Sequence, residues 1–334
     1  MVRAGTKNLI TDVAGLRVGN ASDAPLKSGV TAILCDEPTI AGVQVLGGAP
    51  GTRETDLLEP HNTVEAVHAI CLSGGSAFGL DAASGVQALL RERGIGFAVG
   101  DFRVPIVPAA ILFDLANGGD KDWGRYPPYR ELGYEAALNA SADFAIGTAG
   151  AGFGALSCGL KGGLGSASAV LESGVTVGAL VAANPVGSVT VGNTRHFWAA
   201  PFELDDEFGG LGYPSPMPRD ARDVSLKFRR DAMGGNTTIA VIATDAVLTK
   251  AAAKRLAMAA HDGFVRAVWP THTPADGDLV FALATGKSGV VLSEIDAIDL
   301  YAEAGATMAR AISRGVYAAT AAEADVFPAW SSRR

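Results

Sequence analysis

The chain has 334 residues, 48% of them hydrophobic and 19% charged, which excludes a disordered polypeptide and supplies material for a sizeable core. With 27 basic against 35 acidic residues the net charge is −8, and no basic stripe runs along the sequence, which argues against nucleic acid as a partner. Three scattered cysteines in apolar company, no apolar signal core at the N-terminus and no uncharged span of membrane length point to a cytoplasmic protein with reduced thiols and no membrane partner.

In chain order, residues 9–18 and 29–34 read as short strands, with 42–46 a third. Residues 54–60 form a polar link. Residues 63–72 and 77–93 read as helices, joined by Ser73-Gly74-Gly75-Ser76. Backbone N–H groups at such a turn can hold an anion, but a close-packed elbow is the preferred reading. His61 and His68 have no carboxylate–histidine cage around them and read as structural. Residues 96–99 are apolar, and 104–115 contain two prolines, which argues against a central strand there. The stretch 116–134 is a long polar and aromatic loop of the kind that rims a pocket or a subunit contact. Helix resumes over 135–144.

Residues 147–165 are rich in glycine and alanine, with Lys161 their only charge; a solvated lysine and a functional one are evenly balanced there. The strand-like run 175–183 ends in Asn184-Pro185. An amide just past a buried strand can donate to an oxyanion, although an Asx turn before proline is its ordinary meaning. Residues 201–230 are polar, charged and proline-bearing, a linker by composition.

Next, Gly234-Gly235-Asn236-Thr237-Thr238 runs straight into the apolar stretch 239–244, a flexible loop feeding a buried strand. Cutting the Asn236–Thr237 bond would leave Thr237 with a hydroxyl nucleophile and a free α-amine. That amine has an ordinary pKa of about 7.7–8 and can serve as the hydroxyl's base. Taken alone, the pattern more often means a β-branched pair starting a strand after a turn. Residues 249–268 read as a helix capped by Thr249 and closed by Pro270. Thr271-His272-Thr273-Pro274-Ala275-Asp276-Gly277-Asp278 then leads into an apolar strand over 279–285, and 295–322 read as a long helix. Asp276 and Asp278 at i and i+2 would share a strand face, one holding a partner while the other orients a base; alone, Asp-Gly-Asp is more often a solvated turn or a calcium-loop fragment. Gly286-Lys287-Ser288 fails as a phosphate loop, because Phe281 stands where that loop needs glycine.

Together these elements resemble a known family. The segment Asn8-Leu-Ile-Thr-Asp-Val-Ala-Gly-Leu-Arg-Val-Gly19 is followed in order by Leu72-Ser-Gly-Gly-Ser-Ala-Phe-Gly-Leu80, Val104-Pro-Ile-Val-Pro108 and Leu160-Lys-Gly-Gly-Leu-Gly165, and then by the Asn-Thr-Thr and Asp-Gly-Asp elements. The set resembles the self-cleaving amidases that include L-aminopeptidase/D-esterases, β-peptidyl aminopeptidases and nylon-oligomer endohydrolases. The resemblance implies an α/β fold, a four-layer αββα sandwich like that of N-terminal-nucleophile hydrolases but with different strand connectivity. It implies one domain matured by a cut between Asn236 and Thr237 into pieces 1–236 and 237–334 that stay together. Thr237 would be the nucleophile, Asp276 and Asp278 would orient its amine and hydroxyl, Lys161 would supply nearby positive charge, and Asn184 would hold the oxyanion. Phe113 stands where the nylon-oligomer branch has a tyrosine. The substrate would be a small peptide or amide oligomer, with no metal or organic cofactor, and the protein a homo-oligomer, by family resemblance a tetramer. Two alternatives stay open. One is an aminopeptidase/esterase of the same family, whose members often carry Gly-Ser at the cut and a serine–glutamate pair in place of the aspartates. The other is a non-catalytic binding protein on this scaffold.

Overall fold

The computed structural model describes residues 2–228 and 236–333; the Gly234-Gly235 loop and the last two residues of the 201–230 linker lie outside them. The principal strands are β1 (Leu16–Asp23), β2 (Ser28–Val45), β3 (Ala66–Ser73), β4 (Ala109–Ile111), β5 (Gly163–Val170), β6 (Thr176–Ala183), β7 (Ile239–Thr244) and β8 (Leu279–Ala284). The helices are α1 (Ala82–Glu92), α2 (Tyr129–Leu138), α3 (Lys250–Ala267) and α4 (Glu294–Tyr317).

Hydrogen bonding joins β5-β6-β7-β8-β2-β3-β4 in that order, with β1 on β2 and short strands at the two ends. β2 makes this path into two layers. Its first part, residues 28–35, pairs with β1 and β3; past an irregularity between Leu34 and Thr39 its last part, residues 40–45, pairs with β8. One 18-residue strand therefore belongs to both sheets.

Side-chain alternation assigns the layers. In β7, Ile239, Val241 and Ala243 point between the sheets, onto Ile33, Ile70 and Leu112, while Ala240 and Ile242 face Leu256, Phe264, Met308 and Ile312 of α3 and α4. On the other side Ala32, Leu34, Ala69 and Cys71 face Val86, Leu90 and Tyr129 of α1 and α2. Three apolar seams between four layers give the αββα sandwich. α4 lies so close on β5 that a β-carbon on Gly165 would run into the Ala311 carbonyl.

Residues 66–73 form a strand where the sequence suggests a helix, since Ile70 and Leu72 enter one seam and Ala69 and Cys71 another. With both faces buried, no polar face marks the period. Residues 29–34 and 42–46 belong to a single bent strand, and the expected strand over 9–18 begins only at Leu16, after a 3₁₀ turn over Ile10–Asp12. α2 starts at Tyr129 and not at 135. Thr249 caps α3 as expected, accepting the Ala252 N–H at 3.2 Å. No helix among the described residues is long and apolar enough to cross a membrane.

Candidate active site

Three segments far apart in sequence arrive at one end of the β5–β8 sheet because their strands are neighbours. β6 and β7 run antiparallel with Ala182 opposite Ile239, and β7 and β8 run parallel with Ile239 opposite Leu279. Asn184 lies just past β6, Asn236 to Thr238 lie just ahead of β7, and Asp276 to Asp278 lie just ahead of β8. Strand register thus sets Asn184, Thr237 and the Asp-Gly-Asp turn side by side, and a bridge between Asn236 and Asp276 carries the pairing beyond the strand ends. All these residues are buried.

The Thr237 hydroxyl donates to the carbonyl oxygen of Asn236 at 2.5 Å, and the same oxygen accepts the Gly277 N–H at 2.9 Å. The N–H of Thr237 donates to the Asn184 carbonyl at 3.1 Å. A β-carbon on Gly277 would stand 2.7 Å from Thr237 Oγ1, so only glycine lets this turn bring its N–H so close.

The two carboxylates fix the backbone on either side of this point. Asp278 Oδ1 accepts the Thr238 N–H at 2.8 Å, while Oδ2 accepts from Thr271 Oγ1 and the His272 N–H, both at 3.1 Å. Asp276 accepts the Val186 N–H on one oxygen and both the N–H and hydroxyl of Thr273 on the other. Neither makes a described hydrogen bond to Thr237 itself. Burial, together with the Asp278 charge beside it, pushes the Asp276 carboxyl above the usual carboxylate range. Behind Asp278, His272 Nδ1 lies 2.9 Å from Oδ2, His272 Nε2 lies 3.3 Å from His261 Nδ1, and His261 Nε2 lies 3.0 Å from the Gln44 carbonyl. That carbonyl only accepts, so the proton of His261 sits on Nε2; burial lowers this ring's pKa to about 4 and keeps it neutral.

Asn184 is held on every polar atom. Its Oδ1 accepts from the Leu156 N–H at 2.9 Å and from Lys227 Nζ at 2.9 Å, and its Nδ2 donates to the Phe113 carbonyl at 3.0 Å. These partners fix which way the amide points. Lys227 also donates to the Asn184 carbonyl at 3.1 Å, and burial lowers its pKa to about 7 against the pull of Asp276, Cys158, Asp278 and Asp114. By sequence Lys227 is one charge among several in the polar linker 201–230. Its only signal is a lysine between Leu226 and Phe228, ten residues ahead of Thr237.

Lys161 is buried but turned elsewhere, its Nζ on Asp325 Oδ2 at 2.8 Å. It lines a cavity of about 170 Å³ with Lys27, Asn117, Gly154 and Leu156. The last three of these also line a cleft against Phe113, Asn184 and Lys227, so Lys161 stands one chamber away from Asn184. Phe113 enters the site through its backbone carbonyl. The Ser73–Ser76 turn is an elbow, as preferred: its Gly75 N–H is taken by the chain's own Asp114 at 2.7 Å. Among the described residues no cluster of three or more His, Cys, Asp or Glu is arranged to hold a metal ion.

A layered α/β sandwich with a buried hydroxyl on the carbonyl ahead of it, at a sheet end lined by carboxylates, amide and lysine, is a scaffold suited to acyl chemistry. The chain belongs to peptidase family S58, whose sequence profile matches residues 8–326, and is a hydrolase of amide bonds. It is 45% identical over 325 residues to an uncharacterized aminopeptidase of Mycobacterium tuberculosis, covering 93% of either chain. It is 29% identical over 291 residues to a 6-aminohexanoate-oligomer endohydrolase of Kocuria sp., covering 85% of this chain and 76% of that one. Among solved structures, a β-aminopeptidase of Burkholderia sp. superposes with a TM-score of 0.70 at 25% identity, covering 97% of this chain and 90% of the other.

Proposed function

We propose that this protein is a self-processing N-terminal-threonine amide hydrolase that removes residues from the amino end of short peptides or ω-amino-acid oligomers. The observation that carries the reading is the Asn236 carbonyl oxygen, which meets the Thr237 hydroxyl and the Gly277 N–H together. Thr237 Oγ attacks the Asn236 carbonyl carbon, and Gly277 N–H stabilises the negative charge that develops on the oxygen. The hydroxyl proton passes to the Thr237 nitrogen as the C–N bond breaks, leaving an Asn236–Thr237 ester and a free α-amine, and water hydrolyses the ester. The single domain then consists of pieces 1–236 and 237–334.

In turnover the α-amine takes the hydroxyl proton, Oγ forms an acyl-enzyme with the substrate, and water releases the acid. Asn184 Nδ2 has a second N–H to offer the substrate oxyanion. Asp278 and Asp276 hold the chain around Thr237, and Lys161, ion-paired to Asp325, borders the adjoining cavity. The 45% identity to a relative named as an uncharacterized aminopeptidase favours attack at a chain end over the endo-cleavage that the more distant Kocuria relative's name describes. Three free cysteines suit a reducing compartment, the cytoplasm. A homo-oligomer is part of the same reading.

Intact-mass measurement on purified protein tests the cut: two masses summing to the chain plus one water are expected. The products from a free-amino peptide, an N-blocked peptide and a 6-aminohexanoate oligomer test the substrate. A single uncut species that still hydrolyses amides overturns the self-processing mechanism, and equal rates on the blocked peptide overturn the exo reading.

A further inference from the structure

Lys227 Nζ and Thr237 N both lie 3.1 Å from one acceptor, the Asn184 carbonyl oxygen. Before any cut, one of them is an amide and carries no charge. Once the Asn236–Thr237 bond is broken, both are amines sharing a single buried oxygen. Two ammonium groups so close in a buried site repel each other strongly, and each disfavours the charged form of the other. The surroundings set how much charge the pair keeps. Asp276 and Asp278 face it from the turn ahead of β8, with His272 behind Asp278. Asp114 faces it from the segment after β4, and the Cys158 thiol from the hairpin ahead of β5. Among the described residues none of these carboxylates is within ion-pair distance of Lys227, and Asp276 is itself biased towards its neutral form.

We propose that Lys227 is a positioning residue for the α-amine: the two amines hold one proton between them, Lys227 keeps it, and Thr237 is left neutral as the base. This rests on the self-processing reading. The direction of sharing follows from intrinsic basicity, since a lysine side chain is ordinarily a base stronger by about 2.5 pH units than an α-amine. It follows also from the contacts: Lys227 has a second acceptor in Asn184 Oδ1 at 2.9 Å, which favours its charged form. Burial, which brings the pKa of Lys227 to about 7 in the uncut chain, makes the contest between the amines fall near neutral pH.

The test compares Lys227→Met and Lys227→Arg with the wild type, each first shown by mass to be cut at Thr237, by the pH dependence of kcat/KM. Loss of the competing cation should let Thr237 hold its proton to higher pH, moving the acid limb of Lys227→Met up by about one pH unit. Lys227→Arg, charged throughout, should keep the limb at or below the wild-type position. A merely structural role would change the height of the profile and leave the limb where it is, so an unmoved or lowered limb in Lys227→Met overturns the proposal. If Lys227→Met is not cut, competitive acylation of the wild-type mature protein against pH decides. Half-reactivity of the Thr237 amine at lower pH than that of Lys227 in the same protein supports the proposal, and the reverse order overturns it. Wild-type protein with no new N-terminus at Thr237 overturns the self-processing reading first, and this proposal with it.

Discussion

At Thr237 a single oxygen separates the proposed nucleophile from an ordinary residue leading into a strand. Thr237→Ala removes the group that touches the Asn236 carbonyl and keeps a small side chain, so we expect a folded, uncut and inactive chain. Thr237→Ser retains the oxygen and should still be cut. Thr238 is the control, because its hydroxyl faces the other way and accepts the Asn184 N–H at 3.3 Å. Thr238→Ala should lose about 1–3 kcal/mol for the buried donor left behind, yet still be cut after Asn236. Denaturing gels, N-terminal sequencing of the small piece and circular dichroism read all three. If Thr237→Ala is cut and active while Thr238→Ala is neither, the nucleophile is Thr238. A hydroxyl at a glycine-loop-to-strand boundary was visible in sequence because loop and strand differ in composition there. Lys227 was not, because its importance lies in being buried, and nothing local distinguishes it from the charged residues around it.

Among the elements, the turn ahead of β8 depends most on a single charge. Asp278 accepts from the Thr238 N–H with one oxygen and from the His272 N–H with the other. Asp278→Asn therefore cannot satisfy both: whichever way the amide turns, its NH₂ meets a backbone N–H. The substitution should cost about 1–3 kcal/mol of stability and slow both the cut and turnover on the order of 10²-fold, measured by urea denaturation and by the rate of small-piece appearance. Unchanged stability and rate would show that Asp278 neither holds the turn nor serves the reaction. The sequence showed the two carboxylates and the strand after them. It did not show that they grip Thr238, Thr273 and Val186 in preference to Thr237, because those partners come from tertiary register. β7 and β8 were legible from their apolar runs, whereas β3, buried on both faces, carried the apolar content of a helix without its period.

Across the whole molecule, the proposed cut falls between neighbouring strands of one sheet. β7 of the small piece pairs with β6 of the large piece along Val177–Ala182, and β8 pairs with β2. The buried Ile239, Val241, Ile242 and Phe281 each contribute roughly 1.5–3 kcal/mol of burial, which would oppose separation of the proposed pieces. We expect them to co-elute in gel filtration without denaturant and to unfold in one urea transition; separate elution of a folded small piece would contradict this.

The strand shared by both sheets has a mechanical consequence. Because the backbone of β2 runs unbroken from one layer into the other past Leu34–Thr39, the sheets cannot slide over each other without tearing its ladder to β3 or to β8. The sandwich acts as one creased plate, stiff in shear. Loss of a scissile bond at its open end should therefore leave the spacing of Asn184, Thr237 and Asp278 where folding set it. Any movement that admits a substrate is then expected outside the paired layers and not between them.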